Sequence, residues 1–263
     1  MAIIKTEMYS KKLERNIFFN VVLPIEASLE KGEKEKLFPT LYLLHGYSGN
    51  QNDWLEETTV SQLAEEKGIA LVMPAGENKF YVDQRAVDEQ YGAFIGEELV
   101  EMTRNIFPLS RRREDTLIAG LSMGGYGAMR NGLKYHEVFR GIGAFSSAFI
   151  IDSLIEDKDI EETTQELKER KRRFSEIFGD FNELKNSDKH YKALIQKLKK
   201  EKKQIPELWI TCGTEDFLIN ENRDFYRFLQ ENHVPVTYIE KPGEHTWPYW
   251  QWAIEAFLQW AFQ

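Results

Sequence analysis

Asp115-Thr116-Leu117-Ile118-Ala119-Gly120-Leu121-Ser122-Met123-Gly124-Gly125-Tyr126-Gly127-Ala128 is the stretch whose reading decides the fold. Its first half is a short apolar run with the composition of a buried strand, and its second half opens a helical pattern that continues to Tyr135. Between them lies Gly120-Leu121-Ser122-Met123-Gly124, a G-x-S-x-G sequence in a strand-turn-helix setting, the context of a nucleophile elbow. The small residues have a steric task. So sharp a turn strains the backbone and presses strand against helix, and a Cβ at either glycine would clash. Ser122 is then lifted above the sheet, with a helix N-terminus beneath it to favour developing negative charge.

A hydroxyl is a poor nucleophile until a base takes its proton, so the chain must supply a histidine. There are five. His136 lies at the far end of the helix that Ser122 starts, His190 in a lysine-rich stretch, and His233 in a polar connection. All three read as solvated or structurally hydrogen-bonded side chains. His245 follows a strand pattern, Pro235-Val236-Thr237-Tyr238-Ile239, and a turn, Lys241-Pro242-Gly243, and it precedes an aromatic helix. A histidine on the loop after the last strand can reach back to the serine, so His245 is the candidate base. Its orienting carboxylate should end a strand between the two, where Leu208-Trp209-Ile210-Thr211-Cys212 runs into Gly213-Thr214-Glu215-Asp216. Glu215 and Asp216 both satisfy the spacing. Asp216 is preferred, because a shorter side chain at a loop apex is held more rigidly and Phe217-Leu218 should pack beneath it. A helix N-cap is the competing use of that aspartate. The order Ser122, Asp216, His245 is that of the α/β-hydrolases.

Acyl transfer also needs N–H donors for the tetrahedral oxyanion. Met123, next to the nucleophile, supplies one. Tyr47 supplies the other, from His45-Gly46-Tyr47-Ser48-Gly49 after the third strand, where Gly46 lets the backbone turn. His45 reads as a loop-shaping residue.

These four segments, with Cys212-Gly213-Thr214-Glu215-Asp216 and Gly243-Glu244-His245-Thr246-Trp247 completing the set, give a chain that resembles the esterase D family of α/β-hydrolases. Within it the chain is most similar to bacterial tributyrin-type short-chain esterases. The resemblance runs from Glu7 to Trp260 and is weakest from Ile150 to Gln204. It implies Ser122, Asp216 and His245 as triad, Tyr47 and Met123 as oxyanion donors, and hydrolysis of acetyl to butyryl esters through an acyl-enzyme. It also implies the alternatives within the group: an S-formylglutathione-type thioesterase, an acetyl or feruloyl esterase on plant polysaccharide fragments, or acyl transfer to an alcohol in place of water. The non-enzymatic alternative is an idle hydrolase-fold binding module, which would ordinarily have lost a triad member.

Composition agrees with one enzyme domain. With 263 residues, 42% hydrophobic and 29% charged, the chain can bury a large core. A net charge of −9 argues against nucleic acid or an anionic membrane surface as partner. The single cysteine, Cys212, excludes an internal disulfide and reads as a buried structural thiol. Neither a signal pattern nor an apolar run near ~18 residues is present, so the expectation is a cytoplasmic protein acting on a small-molecule ester. No metal motif and no dinucleotide fingerprint are found, and no cofactor is expected. A homo-oligomer is compatible with the sequence.

Strand patterns fall at residues 7–10, 16–23, 41–44, 70–73, 116–119, 142–145, 208–212 and 236–239, with the first two an antiparallel pair. Helical patterns fall at residues 59–67, 94–106, 125–135, 222–230 and 250–262. The alternation predicts an α/β fold: a mostly parallel eight-stranded sheet with helices on both faces, in a single domain over residues 1–263. Residues 151–203 interrupt the alternation. This stretch is heavily charged, from Glu161-Glu162 to the run Lys197 to Lys203, which reads as a solvated helix face, as does Arg111-Arg112-Arg113 as an exposed turn. Phe174, Ile177, Phe178 and Phe181 give it an apolar edge, and the expectation is a small helical cap that shapes the substrate pocket. Ser48, Phe80, Tyr81 and Trp247 are the candidate substrate contacts, weighed for the aromatics against plain core packing.

Overall fold

The strands form one eight-stranded sheet, and the reason is legible in their burial. The computed structural model describes residues 1–26, 37–157 and 164–262. The strands are β1 (Ala2–Ser10), β2 (Arg15–Leu23), β3 (Thr40–Leu44), β4 (Ala70–Pro74), β5 (Thr116–Leu121), β6 (Gly141–Phe145), β7 (Glu207–Gly213) and β8 (Thr237–Lys241). Their order across the sheet is β1-β2-β4-β3-β5-β6-β7-β8. β1 pairs antiparallel with β2, and β2 antiparallel with β4, while every other pairing is parallel. β3, β4, β5 and β6 are buried at every residue, as parallel strands covered on both faces must be.

Two apolar layers do the covering. On one face pack α3 (Leu99–Ile106), α4 (Met123–Lys134) and α9 (Ile219–Glu231). On the other face lie α1 (Asp53–Glu57), α2 (Val60–Lys67) and α10 (Trp247–Ala261), through Trp54, Val60, Ala64, Trp250, Ile254 and Phe257. This is the α/β-hydrolase fold. Between β6 and β7 stand α5 (Ile151–Asp157), α6 (Gln165–Phe178), α7 (Phe181–Leu184) and α8 (Tyr191–Lys200). Their apolar residues Ile177, Phe178, Phe181, Tyr191, Ile195 and Leu198 join the same core as α4. Glu161 and Glu162 lie outside the described residues.

Several boundaries depart from the expected ones. β1 starts at Ala2, five residues before the expected Glu7, because Ala2 to Thr6 pair in register with Leu23 to Phe19 of β2. α10 starts at Trp247 and not at Trp250, with Pro248 in the first turn, where a missing N–H costs nothing. The helix expected from Phe94 is preceded by a helical turn (Tyr91–Ala93) and begins with a π-helical turn (Phe94–Glu98) before α3. Among the described residues no helix is long and apolar enough to cross a membrane.

Candidate active site

The carboxyl ends of the parallel strands share one edge, and the site is built there from four of them. β5 ends at Leu121 and α4 begins at Met123, leaving Ser122 alone to make the turn at φ 52°, ψ −117°. That is a left-handed conformation for a residue with a Cβ, costing about 1–3 kcal/mol. It is held by hydrogen bonds on both sides. The Ser122 N–H donates to Phe145 O (2.9 Å), while its carbonyl accepts from the Tyr126 N–H (3.1 Å) and the Ala148 N–H (3.0 Å). The glycines are required by contact. A Cβ on Gly120 would lie 2.5 Å from the Gly124 carbonyl, and one on Gly124 would lie 2.5 Å from Leu44 O. Ser122 is partly exposed, and among the described residues its hydroxyl hydrogen-bonds no protein group.

The loop after β3 is fixed by the loop after β4. His45 is buried, its Nδ1–H donates to Gly46 O (2.7 Å), and its Nε2 accepts from the Gly76 N–H (2.8 Å). With Nε2 occupied as an acceptor the ring is neutral, and burial pushes its pKa down. His45 therefore shapes the loop, as the sequence suggested. Tyr81 donates its hydroxyl to His45 O (3.0 Å), and the Ser48 N–H donates to Asn78 Oδ1 (2.6 Å). Between these anchors the Tyr47 N–H has no hydrogen-bond partner among the described residues, and neither does the Met123 N–H at the start of α4.

Asp216 and His245 meet across the ends of β7 and β8. His245 Nδ1–H donates to Asp216 Oδ2 at 2.8 Å, and the Leu218 N–H donates to Asp216 Oδ1 at 2.8 Å. Asp216 is 2% exposed. Burial alone would push its carboxyl up, but the His245 and Leu218 bonds outweigh it and hold the pKa below the usual value. Glu215 points elsewhere: it is exposed, and its Oε2 accepts the Gly243 N–H at 2.5 Å, bracing the loop that carries His245. The ring of His245 lies 4.9 Å from Trp250 and 4.5 Å from Phe217. Phe217 was expected to pack beneath Asp216. Instead it is 72% exposed and stands against the imidazole, while Leu218 is the buried neighbour.

A cleft of about 600 Å³ opens over these groups, lined by Ser122 and His245, by Tyr47, Ser48 and Asp53, and by Thr246, Trp247, Pro248 and Trp250. Ser48 and Trp247 are thus at the cleft, as expected from the sequence. Phe80 and Tyr81 are not. Both are buried, with Tyr81 under His45 and Phe80 packed on Tyr126 and Phe178. The expected cap is also absent from the lining, to which residues 151–203 contribute none of their described members. They pack behind the nucleophile helix instead: Tyr126 donates to Lys189 O (2.7 Å), and Arg130 Nη2 lies 2.6 Å from Asp188 Oδ2. Asp53, Pro248 and Trp250 are wall residues that carry no motif in the sequence. Cys212 is a buried free thiol whose pKa burial pushes up.

Residues 10–261 match the family described as "Putative esterase". The chain belongs to this family. The esterase is 42% identical over 264 residues to an acetyl esterase of Caldicellulosiruptor saccharolyticus, covering 99% of this chain and 98% of the relative. Among solved structures it is similar to a fluorophosphonate-binding serine hydrolase of Staphylococcus aureus, with TM-score 0.86, 29% identity and coverage of 100% and 98%. It is likewise similar to an S-formylglutathione hydrolase of S. aureus, with TM-score 0.84, 30% identity and coverage of 100% and 99%. The esterase is a carboxylic ester hydrolase.

Proposed function

We propose that the esterase hydrolyses short-chain acyl esters, acetyl to butyryl, through an acyl-enzyme on Ser122. The observation that carries this reading is the buried Asp216 carboxylate 2.8 Å from His245 Nδ1, at the cleft that the strained Ser122 also faces. With Nδ1 donating to Asp216, His245 Nε2 is the free base. It takes the Ser122 proton as Oγ attacks the ester carbonyl, then gives it to the departing alcohol. The same nitrogen deprotonates water to release the acid. The unengaged N–H groups of Tyr47 and Met123 receive the oxyanion, and losing such a donor typically costs on the order of 10²- to 10³-fold in rate. The whole chain acts as one catalytic domain, in which the described residues of 164–203 back the nucleophile helix.

The walls favour short acyl groups. Trp247 and Trp250 stand ring to ring at 5.1 Å, and Trp247 packs on Trp54 at 5.5 Å, so this side of the cleft is rigid and bulky. The name of the 42% identical relative points the same way. A panel of p-nitrophenyl esters of rising acyl length, beside S-formylglutathione, methyl ferulate and acetylated xylo-oligosaccharide, tests it. Acetyl to butyryl esters should be turned over fastest, and a preference for the thioester or ferulate would overturn the substrate class. A fluorophosphonate probe should label the protein at Ser122 alone.

A further inference from the structure

β1 lies at the outer edge of the sheet, and among the described residues it pairs with β2 only. It is nine residues long, about 30 Å at the usual rise. Its pairing with β2 runs from Ala2 to Ser10 without a bulge, and it contains no proline. Edges of this kind are templates for another strand, and proteins that avoid association blunt them with bulges, prolines or charged side chains. β1 has neither bulge nor proline, and its two exposed charged side chains, Lys5 and Glu7, are of opposite sign. Ile3, Lys5, Glu7 and Tyr9 share the exposed face, with Ile3 47% and Tyr9 59% exposed. Lys5 makes no ion pair among the described residues, and Glu7 accepts one hydrogen bond, from Asn16 Nδ2.

We propose that β1 is the contact of a homodimer, pairing antiparallel with β1 of a second copy about a two-fold axis through Thr6. The argument is the spacing of the charges. A two-fold perpendicular to the sheet keeps each residue on its own face, so only positions of equal parity oppose each other. With the axis at Thr6, Lys5 of each copy faces Glu7 of the other, and Ile3 of each faces Tyr9 of the other. Two opposite-charge pairs and two apolar pairs form at once, and the ladder uses all nine residues. An axis at Lys5 or at Glu7 would set like charges directly opposite. An axis at Met8 would leave only Thr6 to Ser10 of β1 paired. The strand is complementary to itself in one register, which makes a second copy the partner. β1 is at the opposite side of the sheet from β7 and β8, which carry Asp216 and His245, so dimerisation leaves the site untouched.

Charge exchange tests the register without disturbing the fold, because both residues are exposed. In sedimentation at tens of micromolar the wild-type chain should be a dimer. Lys5→Glu and Glu7→Lys should each weaken the dimer by about tenfold or more, since attraction becomes repulsion at two pairs. An equimolar mixture of the two variants should dimerise again, because each then faces the charges it lacks, and the double variant should dimerise as wild type does. Esterase activity per chain should be the same throughout. A monomeric wild type, single variants that dimerise as tightly as wild type, or a mixture that stays monomeric would each overturn the proposal.

Discussion

Exchanging Asp216 for asparagine replaces one carboxylate oxygen by an NH₂ group and should remove nearly all activity. The carboxylate is buried and serves two donors, His245 Nδ1–H and the Leu218 N–H, both at 2.8 Å. An amide of the same shape can accept from only one of them. If its oxygen stays with Leu218, its NH₂ faces His245 Nδ1, and the ring must move its proton to Nε2. The imidazole then presents a donor where Ser122 needs a base. Loss of the correct tautomer costs on the order of 10⁴ in kcat, about 5.5 kcal/mol of barrier. If the amide turns the other way, its NH₂ meets the Leu218 N–H, and a buried donor left unpaired costs about 1–3 kcal/mol of stability. The first arrangement avoids that penalty, so the loss should appear in kcat. Glu215→Gln is the control, since it is exposed and a glutamine oxygen can still accept the Gly243 N–H. The assay is p-nitrophenyl acetate turnover with folding checked by circular dichroism. An Asp216→Asn protein that keeps a tenth of wild-type kcat, or a larger loss at Glu215→Gln, would refute the assignment.

Ser122→Ala should fold as wild type and leave at most the weak catalysis that binding and the oxyanion donors provide, read as kcat on the same substrate. Trp247→Ala should lengthen the preferred acyl chain, with each methylene that now fits worth about 0.8 kcal/mol, or about fourfold in kcat/KM; an unchanged length profile would make Trp247 a packing residue only. Gly124→Ala should lower the melting temperature, since its Cβ would meet Leu44 O at 2.5 Å and His45 O at 2.6 Å, an overpacking cost of about 1–3 kcal/mol. Asp152 carries a pH signature: burial pushes its carboxyl up, but His190 and Lys192 outweigh this and bring it down to about 2 from 3.8. A pKa depressed by folding contributes stability above the unfolded value and loses it as pH falls through the folded one. In urea unfolding, Asp152→Asn should therefore be less stable than wild type at neutral pH, with the difference shrinking as pH falls from about 4 toward 2.

Local sterics and short-range pattern made much of this protein legible in its sequence. The run from Asp115 to Ala128 reads as strand, turn and helix because only glycine fits where Gly120 and Gly124 touch, and that is a property of a few consecutive residues. Five of the eight strands follow from short-range pattern as well: β3 to β7 are buried on both faces and so are nearly continuous apolar runs. What surrounds Ser122 was decided only by the tertiary structure. Phe80 and Tyr81 follow β4 on the catalytic edge, yet positive φ values of 53° and 56° turn both rings inward, under His45 and against Phe178. Phe217 is apolar and still exposed, because the turn that buries Asp216 and Leu218 on either side directs it outward to the His245 ring. Asp53, Pro248 and Trp250 reach the cleft from helices almost 200 residues apart, which no local pattern records. The sequence by itself determined the strands, the mostly parallel sheet and the candidate residues for acyl chemistry, while the order of the strands across the sheet came from the tertiary structure. The walls of the cleft were left to the packing of distant segments, because the direction a loop side chain takes is set by which neighbour offers it a hydrogen bond or an apolar surface.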